Sequence, residues 1–375
     1  MKATITRAAL AEAAQAVKGL VAKDALSAFS KVRLDVSGCL SLTGSNGDVQ
    51  VEWRMDGGCI GAPGTVTVPG AAFAAFVGAL PDGDVEISAE GTSSVKSKVR
   101  MSNQDVVFTL AAGDAADYPV MKGAVGGSQT DLDAALLKEM LRKVMYAVST
   151  DGTRMVLNGV NIALGGGMLE MTATDGRRLA HVEKEVDGLA ERSSAIKSGF
   201  NFTLPTKAVK ALYALLEGMD GGDVTVVSDS ASARFVGERF ALTAKVAADV
   251  YPNWHRVVPE KVAHGVEIDR TQFLEALGRV ALAADVASGV KIEIGGGKMV
   301  FEAKSDITSA KAEIAPVKTE DGVKAKIRIN PRLLSDALGV IDDDAFTFSW
   351  NDGVSAVKLT CSVPWVAVVM PYMEG

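Results

Sequence analysis

The hydrophobic positions of this 375-residue chain follow the same order three times. In each copy a short strand with alternating apolar residues leads through a proline into a helix, an acidic turn and a second strand. The three helices are predicted at 71–80, 207–216 and 332–341. A proline suits the first turn of a helix because its missing N–H has no intrahelical partner there.

Each copy also opens with a strand and a longer helix, predicted near 7–20, 132–148 and 270–285. In the middle copy the apolar residues at helical spacing are Leu132, Leu136, Met140, Val144 and Val148. The basic residues that lie off this stripe are Lys138, Arg142 and Lys143.

These repeats predict three α+β domains, each with two helices and many strands. The boundaries that keep the repeats intact give domains at 1–125, 126–252 and 253–375. The length agrees with this division, because a single hydrophobic core rarely serves a chain this long.

The net charge of the chain restricts which classes of partner it can bind. The chain has a formal charge of -7, and the three predicted domains carry -2, -2 and -3. This balance argues against a protein with a basic surface that binds nucleic acid tightly. Any attraction to phosphate must come from the way charges are sorted between faces.

The composition indicates a globular protein of the cytoplasm. Hydrophobic residues make up 48% of the chain, yet no apolar run approaches the length of a membrane span, and the N-terminus lacks the apolar core of a signal peptide. The three cysteines, Cys39, Cys59 and Cys361, are far apart and fit buried thiols in a reducing compartment.

Motifs for catalysis or cofactor binding are not found in the sequence. It contains no phosphate-binding glycine loop and no catalytic serine elbow, and its histidines (181, 255 and 264) are scattered. The acids 342–344 suggest a cation site, but the corresponding residues of the other copies are ordinary acidic turns. We therefore predict no cofactor, no metal and no enzymatic activity.

One tight turn stands out, at Asp175-Gly176 between two short strands. Arg177 and Arg178 follow it directly, and two interpretations remain open. The turn is either a solvated hairpin end or a recognition edge, where Thr174 and Leu179 form an apolar floor and Arg178 offers a fork of donors.

The residues around this turn resemble a known family. The segment 173–180 reads Ala-Thr-Asp-Gly-Arg-Arg-Leu-Ala and is similar to the Ala-Thr-Asp-Gly-His-Arg-Leu-Ala signature of the bacterial replicative sliding clamp, the β subunit of DNA polymerase III. Leu-Asn-Gly at 157–159, Tyr-Pro-Asn-Trp-His-Arg-Val at 251–257 and Val-Val-Met-Pro at 368–371 resemble further segments of that family.

The resemblance implies a DNA polymerase processivity factor. Two chains would form a head-to-tail homodimeric ring, with helices facing a central hole for double-stranded DNA of any sequence and antiparallel sheets outside. The implied partners are the replicative polymerase, the clamp loader, and repair and translesion polymerases, which would bind through short linear motifs of the Gln-Leu-x-Leu-Phe type.

The resemblance also implies sites. A peptide groove between the second and third domains would contain Leu157, Thr174, Gly176, Arg177, Arg178, Leu179, Pro252, Arg256, Val257, Val368, Val369, Met370 and Pro371. The predicted DNA-facing residues are Lys23, Lys138, Arg142, Lys143, Lys207, Lys210 and Arg279, with Lys18, Arg270 and Arg332 on the same predicted helices. The predicted dimer contacts are Phe108 and Leu110 against Leu282. Ordinary solvated helix faces are the alternative for the basic residues.

Some positions depart from the family pattern. Ala287 and Ala356 replace larger groove residues, the ending 372–375 is not basic, the loop 25–29 beside Lys23 lacks prolines, and the helix 71–80 has no charge.

Two other hypotheses are an enzyme that uses Asp175 or the acids 342–344, and a structural repeat protein. Missing catalytic motifs count against the first, and the specific groove residues count against the second.

Overall fold

The computed structural model describes residues 1–24, 26–90, 97–124, 127–186, 199–285, 288–318 and 324–372. Six helices lie in these ranges: α1 Arg7–Lys18, α2 Gly70–Ala79, α3 Ala134–Val144, α4 Thr206–Glu217, α5 Arg270–Ala281 and α6 Pro331–Leu338. They fall where the repeat predicts two helices per copy.

The strands occupy most of the remaining chain. The first ten are β1 Lys2–Thr6, β2 Lys31–Ser37, β3 Cys39–Ser45, β4 Val49–Met55, β5 Cys59–Ala62, β6 Gly64–Pro69, β7 Asp84–Glu90, β8 Lys98–Asn103, β9 Val106–Ala111 and β10 Gly113–Asp114. The next eight are β11 Ser128–Asp133, β12 Gly159–Gly165, β13 Met168–Thr174, β14 Arg178–Glu185, β15 Phe200–Pro205, β16 Asp223–Ser228, β17 Ser232–Val236 and β18 Phe240–Lys245. The last eight are β19 His264–Asp269, β20 Val290–Gly295, β21 Lys298–Lys304, β22 Ser309–Ile314, β23 Ala325–Ile329, β24 Ala345–Trp350, β25 Val357–Thr360 and β26 Trp365–Val369.

The chain divides into two compact units. The first contains Met1–Lys138 and Lys207–Ala248, and the second contains Glu139–Thr206 and Asp249–Gly375. All the described strand pairs in both units are antiparallel, which confirms the predicted α+β class.

The first unit has two sheets. One has the strand order β5-β1-β7-β8-β9, and the other has the order β10-β6-β2-β3-β4-β18-β17-β16-β11. The second sheet joins two repeats, since β4 of the first copy pairs with β18 of the second. Helix α1 packs closely on this sheet: a Cβ at Gly44 would lie 2.6 Å from the Cβ of Val17.

The second unit repeats this arrangement. Its sheets have the orders β15-β12-β13-β14-β26-β25-β24-β19 and β22-β21-β20-β23. Here β14 of the second copy pairs with β26 of the third. Strand pairing thus brings segments almost half the chain apart into one sheet.

Two details of the sequence prediction are wrong. Pro69 and Pro205 end their strands, and only Pro331 lies in the first turn of its helix. In the middle copy Leu132 belongs to β11, where it pairs with Val224. The helical phase counted from Leu132 is therefore displaced, and the buried apolar residues of α3 are Ala134, Leu137, Met140, Leu141 and Val144.

Candidate partner-binding site

The turn between β13 and β14 is held by its own polar groups. The Asp175 Oδ1 atom accepts hydrogen bonds from the backbone N–H groups of Arg177 and Arg178, both at 2.9 Å. The Thr174 hydroxyl accepts from Gly176 N–H at 3.1 Å and donates to the Arg178 carbonyl at 2.6 Å. Gly176 has a φ of +85°, a conformation that favours glycine. Asp175 therefore shapes the turn.

The Arg178 side chain turns inward from this hairpin. Its Nε donates to Asp175 Oδ2 at 3.1 Å, and one terminal nitrogen donates to Asp336 Oδ2 at 2.6 Å. The guanidinium carbon lies 5.3 Å from the centre of the Tyr146 ring, within the range of a cation–π contact. The side chain is 13% exposed. Two of the guanidinium donors of Arg178 are thus engaged within the fold, and its role toward a ligand stays a prediction.

Strand pairing assembles the middle of the predicted groove. On β14 and β26, Leu179 lies opposite Val368. Beyond the last pair, the Met370 N–H donates to the Arg177 carbonyl at 2.9 Å. Val369 also pairs with β25, so the segment before Met370 is fixed on both sides.

Burial separates the predicted groove residues into two groups. Leu179 is only 1% exposed, and the other buried members are Leu157, Val368, Val369 and Pro371. Met370 is 41% exposed, and the other exposed members are Gly176, Arg177, Pro252, Arg256 and Val257. Thr174 is half-buried. Leu179 supports the surface from below and does not itself offer an open face, because its side chain packs in the sheet.

Four neighbouring residues were not predicted from the sequence. The exposed Met155 begins the short 3-10 helix Met155–Leu157. A guanidinium nitrogen of Arg154 lies 2.8 Å from the position that a Cβ on Gly176 would occupy. Both precede the Leu-Asn-Gly segment, which is the signal that could have found them. Tyr146 and Asp336 carry no local signal, since only the tertiary fold brings them to Arg178.

An aromatic stack attaches a second segment to β14. The Trp254 ring lies between His181, at 3.8 Å between ring centroids, and His255, at 3.7 Å. Trp254 begins the short 3-10 helix Trp254–Arg256. The His181 Nδ1 lies 2.9 Å from the Thr172 hydroxyl. Burial, with a smaller contribution from His255, lowers the pKa of His181 to about 4.

Four of the predicted DNA-facing residues share a cleft of about 980 Å³ in the first unit. The basic residues that line it are Lys18, Lys23, Lys207, Lys210 and Arg239, and the acidic ones are Glu12 and Glu217. Arg239 pairs with Glu12 at 2.9 Å and lies over the Trp53 ring. The cleft therefore has a formal charge of +3 in a chain with a net charge of -7.

The other predicted DNA-facing residues differ in exposure. Lys143 is 4% exposed and its ammonium lies 2.6 Å from Glu139. Because it is buried and paired, Lys143 does not fit the predicted role. Arg142 pairs with Asp342. The remaining members are the half-buried Lys138 and Arg270, the exposed Arg332, and the exposed Arg279, which pairs with Glu275.

The predicted dimer contacts also divide. Leu110 is buried in the first unit, so its assignment to a contact with Leu282 is wrong. Phe108 is half-buried and stacks on Phe76 at 4.3 Å between ring centroids. Leu282 is 89% exposed. Strand β9, which carries Phe108, is an edge strand of its sheet.

Comparison with known proteins follows the repeats along the chain. Models of the DNA polymerase III beta subunit match in order: the N-terminal domain at residues 1–122, the central domain at 131–253 and the C-terminal domain at 255–372. The chain belongs to the family of bacterial β sliding clamps. This confirms the resemblance found in the sequence.

Individual sliding clamps agree with this assignment. The chain is 28% identical to the beta sliding clamp of Pseudomonas aeruginosa, over 95% of each chain. It is 29% identical to that of Caulobacter vibrioides, over 95% of this chain and 94% of the relative. The crystal structure of the DNA polymerase III subunit beta from Pseudomonas aeruginosa covers 100% of each chain with a TM-score of 0.90 at 27% identity.

Membership in the sliding-clamp family gives the general function. The protein is a processivity factor of DNA replication and a non-catalytic subunit, as the sequence predicts. Among the described residues, no helix is both long enough and apolar enough to cross a membrane.

Some departures from the family pattern can be located. Ala356 directly precedes β25, whose first residue Val357 pairs with Val369. It is half-buried beside the end of β26. Ala25, Ala287 and residues 373–375 lie outside the described residues. The domain boundaries at 125 and 252 stay predictions.

Proposed function

We propose that two copies of this clamp close head to tail into a ring around duplex DNA. Strands β9 and β22 are the edge strands that support this arrangement. An unpaired edge presents a row of free N–H and C=O groups, and a closed ring would pair them. The exposed Leu282 after α5 offers apolar surface for the same contact.

The sorting of charge is the observation that carries the proposal for DNA. The cleft lined by α1 and α4 has five basic and two acidic residues, although the chain as a whole is acidic. Such a face attracts the phosphates of any duplex without reading its bases. A moderate attraction also suits a protein that must slide.

The groove would hold partners by short apolar motifs. Met370 and Val257 offer exposed apolar surface, and the exposed Arg177 and Arg256 have no salt bridge among the described residues. An apolar cleft with a few oriented cations favours an extended peptide with apolar anchors. The replicative polymerase, the clamp loader and translesion and repair polymerases would use this groove in turn, in the cytoplasm.

Retention on circular DNA tests the ring. The clamp should elute near twice 39.0 kDa in gel filtration, and once loaded it should stay on closed circular DNA in salt that strips it from linear DNA. Topology holds a ring on a circle, whereas direct contacts weaken with salt. Loss from both forms at the same rate would rule out encirclement.

A further inference from the structure

Arg178 sits in a cage of three side chains from separate parts of the second unit. Asp175 comes from the hairpin turn, Asp336 from α6 and Tyr146 from the short 3-10 helix Met145–Ala147. The two carboxylates engage different nitrogens of the guanidinium, at 3.1 and 2.6 Å. Charge-assisted hydrogen bonds of this kind are strong and directional.

The cage has the wrong charge and geometry for capturing a ligand carboxylate. Two carboxylates face one guanidinium, so these groups together carry a formal charge of -1. The side chain is largely buried, and moving it toward a ligand would break its ion pair with Asp336. Arg177 is better suited to bind a ligand carboxylate, because its side chain is exposed and has no ion pair among the described residues.

The cage instead fixes the position of the groove. Arg178 begins β14 and lies opposite Val369 of β26, next to Met370. The inward face of α6 is buried through Leu334, Ala337 and Leu338, so Asp336 projects from a helix that is itself held firmly. The ion pair thus ties the turn to α6.

We propose that Asp336 is a positioning residue of the peptide groove, which holds Arg178 inward so that the turn 175–178 and Met370 keep the shape that receives a peptide. This inference rests on the proposed peptide groove. It assigns recognition of acidic residues in a partner to the exposed arginines and gives Arg178 a structural part in binding.

Two matched peptides test the inference on the full-length protein. One carries Gln-Leu-Ser-Leu-Phe in a neutral sequence, and the other has two added glutamates beside that motif. Asp336→Ala should weaken both peptides by the same factor, about fivefold or more, because it disturbs the shared shape of the groove. Arg177→Ala should weaken the acidic peptide more than the neutral one.

Matched variants separate positioning from general damage. Asp342→Ala removes another carboxylate that pairs with an arginine in the same unit and should leave both affinities unchanged. Asp336→Asn keeps the shape of the side chain and serves if the alanine variant does not fold. Arg178→Lys keeps the charge but not the fork of donors, and combined with Asp336→Ala it should add little further loss.

Two results would overturn the inference. Stronger binding of the acidic peptide by Asp336→Ala would mean that the released Arg178 binds carboxylates directly. Unchanged affinities with only a lower melting temperature would limit Asp336 to a role in stability. If the unaltered clamp binds neither peptide, the proposed groove itself fails.

Discussion

Trp254 stacks on His181 with 3.8 Å between the ring centroids, at an angle of 27°. The contact joins the segment that carries Arg256 to β14, which carries the groove floor. His181 is buried, and among the described residues its Nε2 has no hydrogen-bond partner. The imidazole is therefore better suited to packing as a neutral ring than to carrying charge.

This burial predicts a dependence of stability on pH. The pKa of His181 falls to about 4 in the fold, below the ordinary value of about 6.5 in an unfolded chain. Between these values the unfolded state binds more protons, so the free energy of unfolding decreases as the pH falls from 6.5 to 4. At pH 4 the loss in the free energy of unfolding from this residue alone is roughly 3 kcal/mol.

Chemical denaturation at pH 7 and pH 5 measures this effect. His181→Val, which removes the titrating group from the strand, should lose less stability between the two pH values than the unaltered protein. His264→Gln, at a half-buried imidazole on a different strand, should lose as much stability as the unaltered protein. Equal losses in all three would show that His181 does not control this dependence.

Met370 and Leu179 should respond differently to truncation. Met370→Ala removes an exposed side chain and should weaken peptide binding by roughly 1–3 kcal/mol with little change in the free energy of unfolding. Leu179→Ala leaves a cavity in the sheet and should lower the free energy of unfolding by about 2–5 kcal/mol. Peptide titration and urea unfolding of each variant distinguish these effects. Unchanged affinity in both variants would exclude this surface as the groove.

The dimer contact should depend on Phe108 and Leu282. Phe108→Ala combined with Leu282→Ala should raise the dimer dissociation constant, because both remove apolar surface near the proposed contact. Analytical ultracentrifugation across nanomolar to micromolar protein measures the shift. Val354→Ala, at an exposed apolar residue before β25, is the control. A double variant that stays dimeric at nanomolar concentration would place the interface elsewhere.

The basic cleft should matter for DNA, and Lys143 should not. Charge reversal of Lys207 and Lys210 together should reduce processive synthesis on primed circular DNA, since both line the positive cleft. Lys245→Glu with Lys298→Glu changes the net charge equally, but at lysines outside the cleft that pair with Asp48 and Glu313. That control should retain processivity.

Lys143 provides a separate measurement. Lys143→Met should leave processivity intact, because the ammonium is buried against Glu139. Any effect should be a small change in the free energy of unfolding, because Glu139 is 51% exposed and stays solvated without the pair. A loss of processivity as large as that of the Lys207 and Lys210 variant would restore Lys143 to the DNA-facing set.

The fold could be predicted because its signals are local and occur three times. Proline, apolar period and acidic turn recur in every copy, so an error of phase in one helix, as at Leu132, does not change the architecture. The signature at 173–180 likewise predicts the tight turn and indicates the family. Burial could not be predicted in the same way. The sequence analysis assigned Leu110, Lys143 and Leu179 to contacts with partners or DNA, yet all three are buried. Their exposure depends on long-range packing, which the local sequence does not indicate.

The cage around Arg178 shows the same limit. Asp336 is 158 residues away from Arg178 in the chain, and nothing in either local sequence indicates the pair. A family resemblance can predict which position of the motif an arginine occupies. It cannot say whether that arginine faces a ligand or another carboxylate, because the answer depends on a residue from another repeat.

The pairing of β14 with β26 also has a consequence for synthesis on the ribosome. β14 is an inner strand of its sheet, yet its neighbour β26 is the last strand of that sheet to be translated. At about 5–20 residues per second, β14 waits on the order of 10 s or longer for this neighbour. During that interval the nascent chain exposes the free edge of a strand bearing Leu179 and Val182. A chaperone that shields this edge should raise the yield of folded clamp more than one acting after release.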